Sequence, residues 1–355
     1  MNKIAIPAAM TAVTLASAAG AEVPSVAADI PPVHSLVAIV MEGLGTPDLI
    51  VQPGASPHGY SLRPSEAESL QEAGAVFWVG EELEPWLVDP LSTLATGAKS
   101  VELLETEGTT ELEFREGATF EAHDHDHGDH DGHNGHDEES EGDDHDHDHG
   151  EAAEGEDHDE HDGEEHEGEE HAEDHDHDEH EHHHHGHDPH AWLDPENARV
   201  WLSVIAEELS TLDPENAETY RANAEAGRAE ISELIEEIGA DLEAVRGANF
   251  VVFHDAYQYF ENRFDFPAAG AISLGDASDP SPARIEEIQH KVDELQISCA
   301  FAEPQFNPGL LKTVFQDVDA KTGILDPLGA DLTPGPDLYP QLLDQLADSL
   351  TDCLS

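Results

Sequence analysis

Twenty-one of the 26 histidines crowd into residues 121–187, and five stand outside: His34, His58, His190, His254 and His290. Histidine is the commonest metal-ligating side chain, so metal binding is the first chemistry this distribution raises. Three of the five share a kind of position. His58 lies in PGASPHGYSLRPSE, a Pro/Gly-rich loop between an expected strand (49–52) and a helix. His190 lies in HDPHAWLDP, where the histidine tract gives way to ordinary sequence, and His254 closes the apolar run NFVVF and opens HDAYQYF. His290 falls mid-helix beside Lys291, and His34 precedes an expected strand; both read as structural. A lone histidine on a loop usually serves structure, whereas three at strand and loop ends suit one ligand set. Residue pattern alone leaves these two readings level.

The tract is a different kind of metal binder. It repeats HDHDH at 123–127 and 145–149, with a variant HDHDEH at 175–180. Alternating imidazole and carboxylate lets a flexible chain wrap a cation with interchangeable ligands, each set weaker than a preformed cleft because the chain must be ordered. Residues 121–187 hold 31 acids, no Lys or Arg, and almost no large apolar side chains. Nothing there offsets the ordering entropy, so a disordered insertion is expected. Within HEHHHHGHDPHAWLDP (180–195), His180 to His187 read as tether. Ordinary folded sequence begins at His190, where Trp192, Leu193 and a helix start at Pro195 fix the backbone.

Positioning these residues is the task of an α/β chain. The run HSLVAIV (34–40) reads as a buried strand. Ser65 reads as the N-cap of a helix, with Glu68 completing a capping box. AVFWVG (75–80) is a further strand, and EELEPWL opens the next helix. After the tract, Pro195 starts one helix and Asp213-Pro214-Glu215 a longer one. Its apolar stripe (Tyr220, Ala224, Ile231, Leu234, Ile235, Ile238, Leu242, Val245) follows steps of three and four once Gly227 is counted. That helix could run about 50 Å, long enough for a rigid connector. NFVVF, RIEEIQHKVDELQ (284–296), ISCAFAEP (297–304), PGLLKTVFQDV (308–318) and TGILDPLG (322–329) continue the alternation of strand and helix. The fold expected is α/β, with two βαβ-type lobes of parallel sheet: 22–212 carrying the insertion, a connecting helix over 213–246, and 247–355. Ligands of such sheets bind at the carboxyl ends of the strands.

Composition narrows the partners. Acids outnumber bases 81 to 13 over the chain and 50 to 13 outside the tract, which excludes nucleic acid and anionic lipid. MNKIAIPAAMTAVTLASAAGAEV has a basic start at Lys3, an apolar stretch from Ile4 to Ala18 and a small-residue cleavage site ending at Ala21. It reads as a secretory signal, too short to span a bilayer. An exported chain favours pairing Cys299 with Cys353, and a bridge closing so long a loop would contribute about 4 kcal/mol.

The segments PGASPHGYSLRPSE, DPHAWLDPENA, VVFHDAYQYF, AEPQF and LDPLG closely resemble, in order, those of the periplasmic zinc-binding proteins of ABC importers (the ZnuA type). The acidic histidine-rich stretch sits between the first and second, as it does in that family of solute-binding proteins. The resemblance spans almost the whole mature chain. It implies two α/β lobes joined by a long rigid helix, a metal in the cleft between them, a disulfide in the second lobe, a membrane permease as partner and no enzymatic activity. A monomer is expected. Carried over by motif, the ligands are His58, His190 and His254. Three imidazoles suit Zn²⁺ with a fourth position open, and the manganese-binding relatives commonly carry glutamate at the third position. Some relatives have an acidic residue before the first histidine; here it is Pro57. Asp326 in LDPLG stands where related metal binders supply a carboxylate, with water as its rival and a turn-forming role as the alternative. Glu303 in AEPQF is a weaker candidate for the fourth ligand, or a partner that orients a histidine. The insertion is expected to collect or sense zinc at low affinity. A manganese binder, or a periplasmic zinc buffer or chaperone independent of import, is the alternative. A zinc hydrolase is disfavoured: outside the histidine-rich tract no HExxH occurs, and no motif places a general base.

Overall fold

The computed structural model describes residues 23–115, 186–273, 281–306 and 320–355. The expected signal, nearly all of the histidine-rich insertion and the expected helix over 308–318 lie outside these residues.

Two parallel sheets of four strands organise the chain. The first contains β1 (Val26–Ala28), β2 (Asp48–Leu49), β3 (Ala75–Trp78) and β4 (Lys99–Glu102) in the order β2-β1-β3-β4. The second contains β5 (Phe250–His254), β6 (Gly270–Ser273), β7 (Cys299–Ala302) and β8 (Lys321–Ile324) in the order β6-β5-β7-β8. All pairings are parallel. The two sheets therefore repeat one topology, in which the chain reverses direction across the sheet at its first strand. That reversal opens a crevice at the strand ends.

The helices are α1 (Pro31–Val40), α2 (Pro64–Glu72), α3 (Val88–Leu94), α4 (Pro195–Leu212), α5 (Ala217–Leu242), α6 (Gln258–Phe264), α7 (Pro282–Glu294) and α8 (Leu338–Leu354). The segment HSLVAIV is not a strand but most of α1, and His34 lies inside that helix. All ten residues of α1 are buried. A helix enclosed on every side has no polar face, so its periodicity vanishes and it looks like a core strand. Pro31 and Pro32 at its start, where missing N–H groups cost nothing, are the signal that separates the two. The α2 cap also differs from expectation. Pro64 occupies the first helical turn, Arg63 is the N-cap, and Glu66 rather than Glu68 reaches back to accept from the Arg63 N–H at 2.7 Å.

The long helix begins at Ala217, because Asp213 ends α4, and its 26 residues span about 39 Å rather than 50. Its stripe is buried as the spacing requires: Tyr220, Ala224, Gly227, Ile231, Leu234, Ile238 and Leu242. Gly227 permits close approach, since a Cβ there would stand 2.7 Å from Ile39 Cγ2 of α1. α5 packs on α1, α4 and α8. One apolar core runs from the first sheet through these helices to the second sheet. The ends of the chain interlock within it: Ser35 Oγ donates to Pro336 O (3.0 Å) and accepts from Tyr339 N (2.9 Å). Cys299 of β7 and Cys353 of α8 are disulfide-bonded, tying the C-terminal helix to the second sheet.

Candidate metal site

The register of the second sheet creates half of the site. Phe250 pairs with Cys299 and Val251 with Ala300, so continuing the same offset past the strand ends sets Glu303 beside His254. Glu303 Oε1 lies 2.7 Å from His254 Nδ1 and also accepts from the His254 backbone N–H at 3.2 Å. His190 is held in a parallel way. Asp188, two residues earlier, accepts from the His190 backbone N–H at 3.0 Å and places its Oδ1 2.7 Å from the ring Nδ1. Both imidazoles are thereby oriented by a buried carboxylate, which accepts from Nδ1–H and leaves the lone pair on Nε2. Those two Nε2 atoms face each other at 3.3 Å.

The third imidazole arrives from the first sheet. His58 follows β2, on a loop held by Trp86, whose indole N–H donates to Pro57 O at 2.6 Å. Tyr60 packs on Trp86 and donates to Glu66 at the start of α2. The His58 ring centre lies 5.4 Å from that of His190 and 6.0 Å from that of His254. One ligand atom from each of the three residues falls within 4.8 Å of the others. Trp192 and Phe306 wall the pocket. The indole of Trp192 donates to Pro327 O at 2.8 Å, and Phe306 stacks on Phe253.

Electrostatics favour a cation held by neutral donors. His190 is buried, and its pKa is driven well below the ordinary value by desolvation, with the charges of His254 and Arg115 adding to the effect. It therefore presents a neutral ring at physiological pH. Burial pushes the Asp188 carboxyl up to about 7, opposed by the His190 N–H and the Arg115 guanidinium. Three imidazoles, two of them backed by buried carboxylates, can coordinate a divalent ion.

Of the four residues expected to ligate, the structure brings together His58, His190 and His254. Asp326 is not among them. Its Oδ1 accepts from the backbone N–H groups of Leu328 and Gly329 and from Gln305 Nε2, each at 3.0 Å, and its Oδ2 accepts from Ala330 N. A carboxylate already accepting four hydrogen bonds is a turn cap. Glu303 takes the orienting position expected of it. His34 is buried, with Nε2 3.0 Å from Pro47 O, and His290 is exposed near Glu294. Asp188 is the residue missed from sequence, although its place two residues before His190 in HDPH is the signal for it. Arg115, which forks onto Asp255 and Glu261, carries no signal at all.

Fold and site define a class: two-lobed α/β binding proteins whose ligand site lies at facing strand ends. Residues 26–353 match the family described as the periplasmic component A of the zinc-uptake complex, ZnuA. The chain is 49% identical over 330 residues to the High-affinity zinc uptake system protein ZnuA of Brucella suis, covering 93% of this chain and 91% of that protein. It is 44% identical over 342 residues to the protein of the same name from Paracoccus denitrificans, covering 96% and 95%. A solved structure titled "Crystal structure of ZnuA" shares the fold at TM-score 0.67 and 21% identity, covering 94% of this chain and 99% of that one. The chain belongs to the family of periplasmic zinc-uptake components, which are binding proteins and not enzymes.

Proposed function

We propose that this protein captures Zn²⁺ in the periplasm through His58, His190 and His254 and delivers it to the membrane permease of an ABC importer. The observation that carries the reading is the pair of Nε2 atoms facing each other at 3.3 Å, each ring tied at Nδ1 to a buried carboxylate. Two Nε2 atoms that close share either a proton, in an N–H···N hydrogen bond, or a metal ion, and a carboxylate on each Nδ1 leaves both Nε2 lone pairs available to the metal. Two nitrogens bound to one tetrahedral zinc at 2.0–2.1 Å stand about 3.3–3.4 Å apart, so this separation fits that ion. The fourth position belongs to water, because Pro57 has no ligating side chain and Asp326 is engaged in its turn. An all-imidazole set favours zinc over manganese, which prefers harder oxygen donors.

In this reading the mature chain begins near Glu22, residues 22–212 and 247–355 form the lobes around the connecting helix, and the protein acts as a monomer. The insertion serves as a low-affinity collector that raises the local zinc concentration. Calorimetric titration of two proteins lacking residues 121–185, one otherwise intact and one carrying His190→Ala, tests the site. One tight zinc site in the first, lost in the second, is expected. Absence of tight binding in both would make the insertion the true metal binder and the protein a buffer.

A further inference from the structure

The two ends of the histidine-rich insertion do more than join it to the fold. Glu113 and His187 form an antiparallel bridge, and Asp188 N donates to Leu112 O at 2.7 Å, so the ends pair into a short two-stranded stem. This stem leaves the first lobe and lies on α6, which begins four residues after His254. Tyr259 joins both strands through one hydroxyl, accepting from Leu112 N (2.9 Å) and donating to Asp188 O (2.7 Å). Gln258, with its amide oriented to donate, reaches Glu113 O (3.2 Å) and Asp188 Oδ2 (3.0 Å). Arg115 completes the arrangement. Its guanidinium contacts both oxygens of Asp255, the residue after His254, and reaches Glu261 of α6 at 2.7 and 3.1 Å. The side chains of Arg115, Asp255 and Glu261 are 16%, 7% and 5% exposed, so the pairing is shielded from solvent.

We propose that the stem is a strap that sets the spacing of His190 and His254, with Arg115 as the positioning residue that closes it. Asp188 belongs to the stem and orients His190. Asp255 adjoins His254 and is held by Arg115. The two imidazoles come from segments 64 residues apart, and the stem contacts the neighbourhood of both, alongside the fork of Arg263 from α6 onto Asp194. Arg115 suits the role because a planar guanidinium can engage two carboxylates at once, which a lysine ammonium cannot match in geometry. Removing it leaves two buried carboxylates repelling one another, and α6 relaxes away from the stem. The 3.3 Å separation is then no longer enforced. The strap is distinct from the insertion's own metal affinity: it needs only residues 111–115 and 186–190.

The proposal rests on the zinc-site reading above, and the experiment separates the two. In the full-length protein, the tightest site is measured by competition with a zinc chelator, at free zinc low enough to leave weak sites empty. Zinc dissociation rate and the visible spectrum of the Co²⁺-loaded protein are recorded alongside. Arg115→Ala should weaken the tight site by about tenfold or more, speed zinc release, and shift the tetrahedral Co²⁺ bands. Tyr259→Phe, which removes one hydroxyl and no charge, should move the same readouts less, and it carries the test if Arg115→Ala does not fold. Folded variants with affinity within about twofold of the parent and an unchanged Co²⁺ spectrum would overturn the strap. His190→Ala is the reference: if the tight site survives it, the site reading itself fails, whatever the strap does.

Discussion

Glu303→Gln isolates the contribution of one orienting carboxylate. Glu303 Oε1 accepts from His254 Nδ1 at 2.7 Å, and the Glu303 side chain is 1% exposed, so this is a charge-assisted hydrogen bond shielded from water. Such bonds contribute about 1.5–3 kcal/mol, against about 0.5–1.5 for a neutral pair. Glutamine keeps an acceptor oxygen of the same shape and removes only the charge, so the loss should be about 1–1.5 kcal/mol. At 1.4 kcal/mol per decade, that is roughly five- to fifteenfold in zinc affinity. It should approach a hundredfold only if the ring also loses its orientation. Stability of the metal-free protein should move little or rise, because a buried anion has been removed. Chelator competition gives the affinity and thermal unfolding without metal gives the stability. An affinity within threefold of the parent would refute the claim that Glu303 tunes His254. A large fall in metal-free stability would show that the residue serves the fold instead.

Other consequences are open to direct measurement. Gly227 and Gly239 both lie in α5, but a Cβ meets Ile39 at 2.7 Å and Leu202 at 3.2 Å at the first and nothing within 4 Å at the second. Gly227→Ala should therefore destabilise by about 1–3 kcal/mol through overpacking, while Gly239→Ala should stabilise by about 0.5–1 kcal/mol; urea titration compares them. Asp29 and Glu84 are buried together in the first lobe, where desolvation raises Asp29 to about 6 and drives Glu84 well above its ordinary value. An acid with a raised folded-state pKa is bound to its proton in the fold and not in the unfolded chain, so its contribution to stability is lost as pH rises through that window. Glu84→Gln should remove its share of that decline, seen as a flatter fall of Tm as pH rises. Cys299→Ser with Cys353→Ser should cost about 2–5 kcal/mol and detach α8 from the second sheet first, which hydrogen exchange along 338–354 would report.

Position made the three histidines candidates, since each stands at a loop or strand end in an α/β chain where side chains can converge, but it was motif likeness that singled them out as one ligand set. Glu303 and His254 were legible as a pair only through motif likeness, and the register of β5 on β7 supplies the physical reason they meet. The strand expected over HSLVAIV proves to be a helix because total burial erases helical periodicity, and the first sheet together with α4, α5 and α8 encloses α1 on every side. For Asp326, residue type does not say where hydrogen bonds go: its oxygens accept from backbone groups two to four residues onward.

By itself, then, the sequence determined the local patterns: the alternation of strand and helix, the long apolar stripe of α5, the polar insertion and the three imidazoles able to bind metal. Each depends on neighbours within a few residues. Tertiary structure decided the relations across distance: that Nε2 meets Nε2 at 3.3 Å, that the register of β5 on β7 seats Glu303 against the His254 ring, and that Arg115 reaches 140 residues along the chain to Asp255. Such contacts are set by sheet register and helix packing, which sum over the whole core and leave no trace in any short window of sequence.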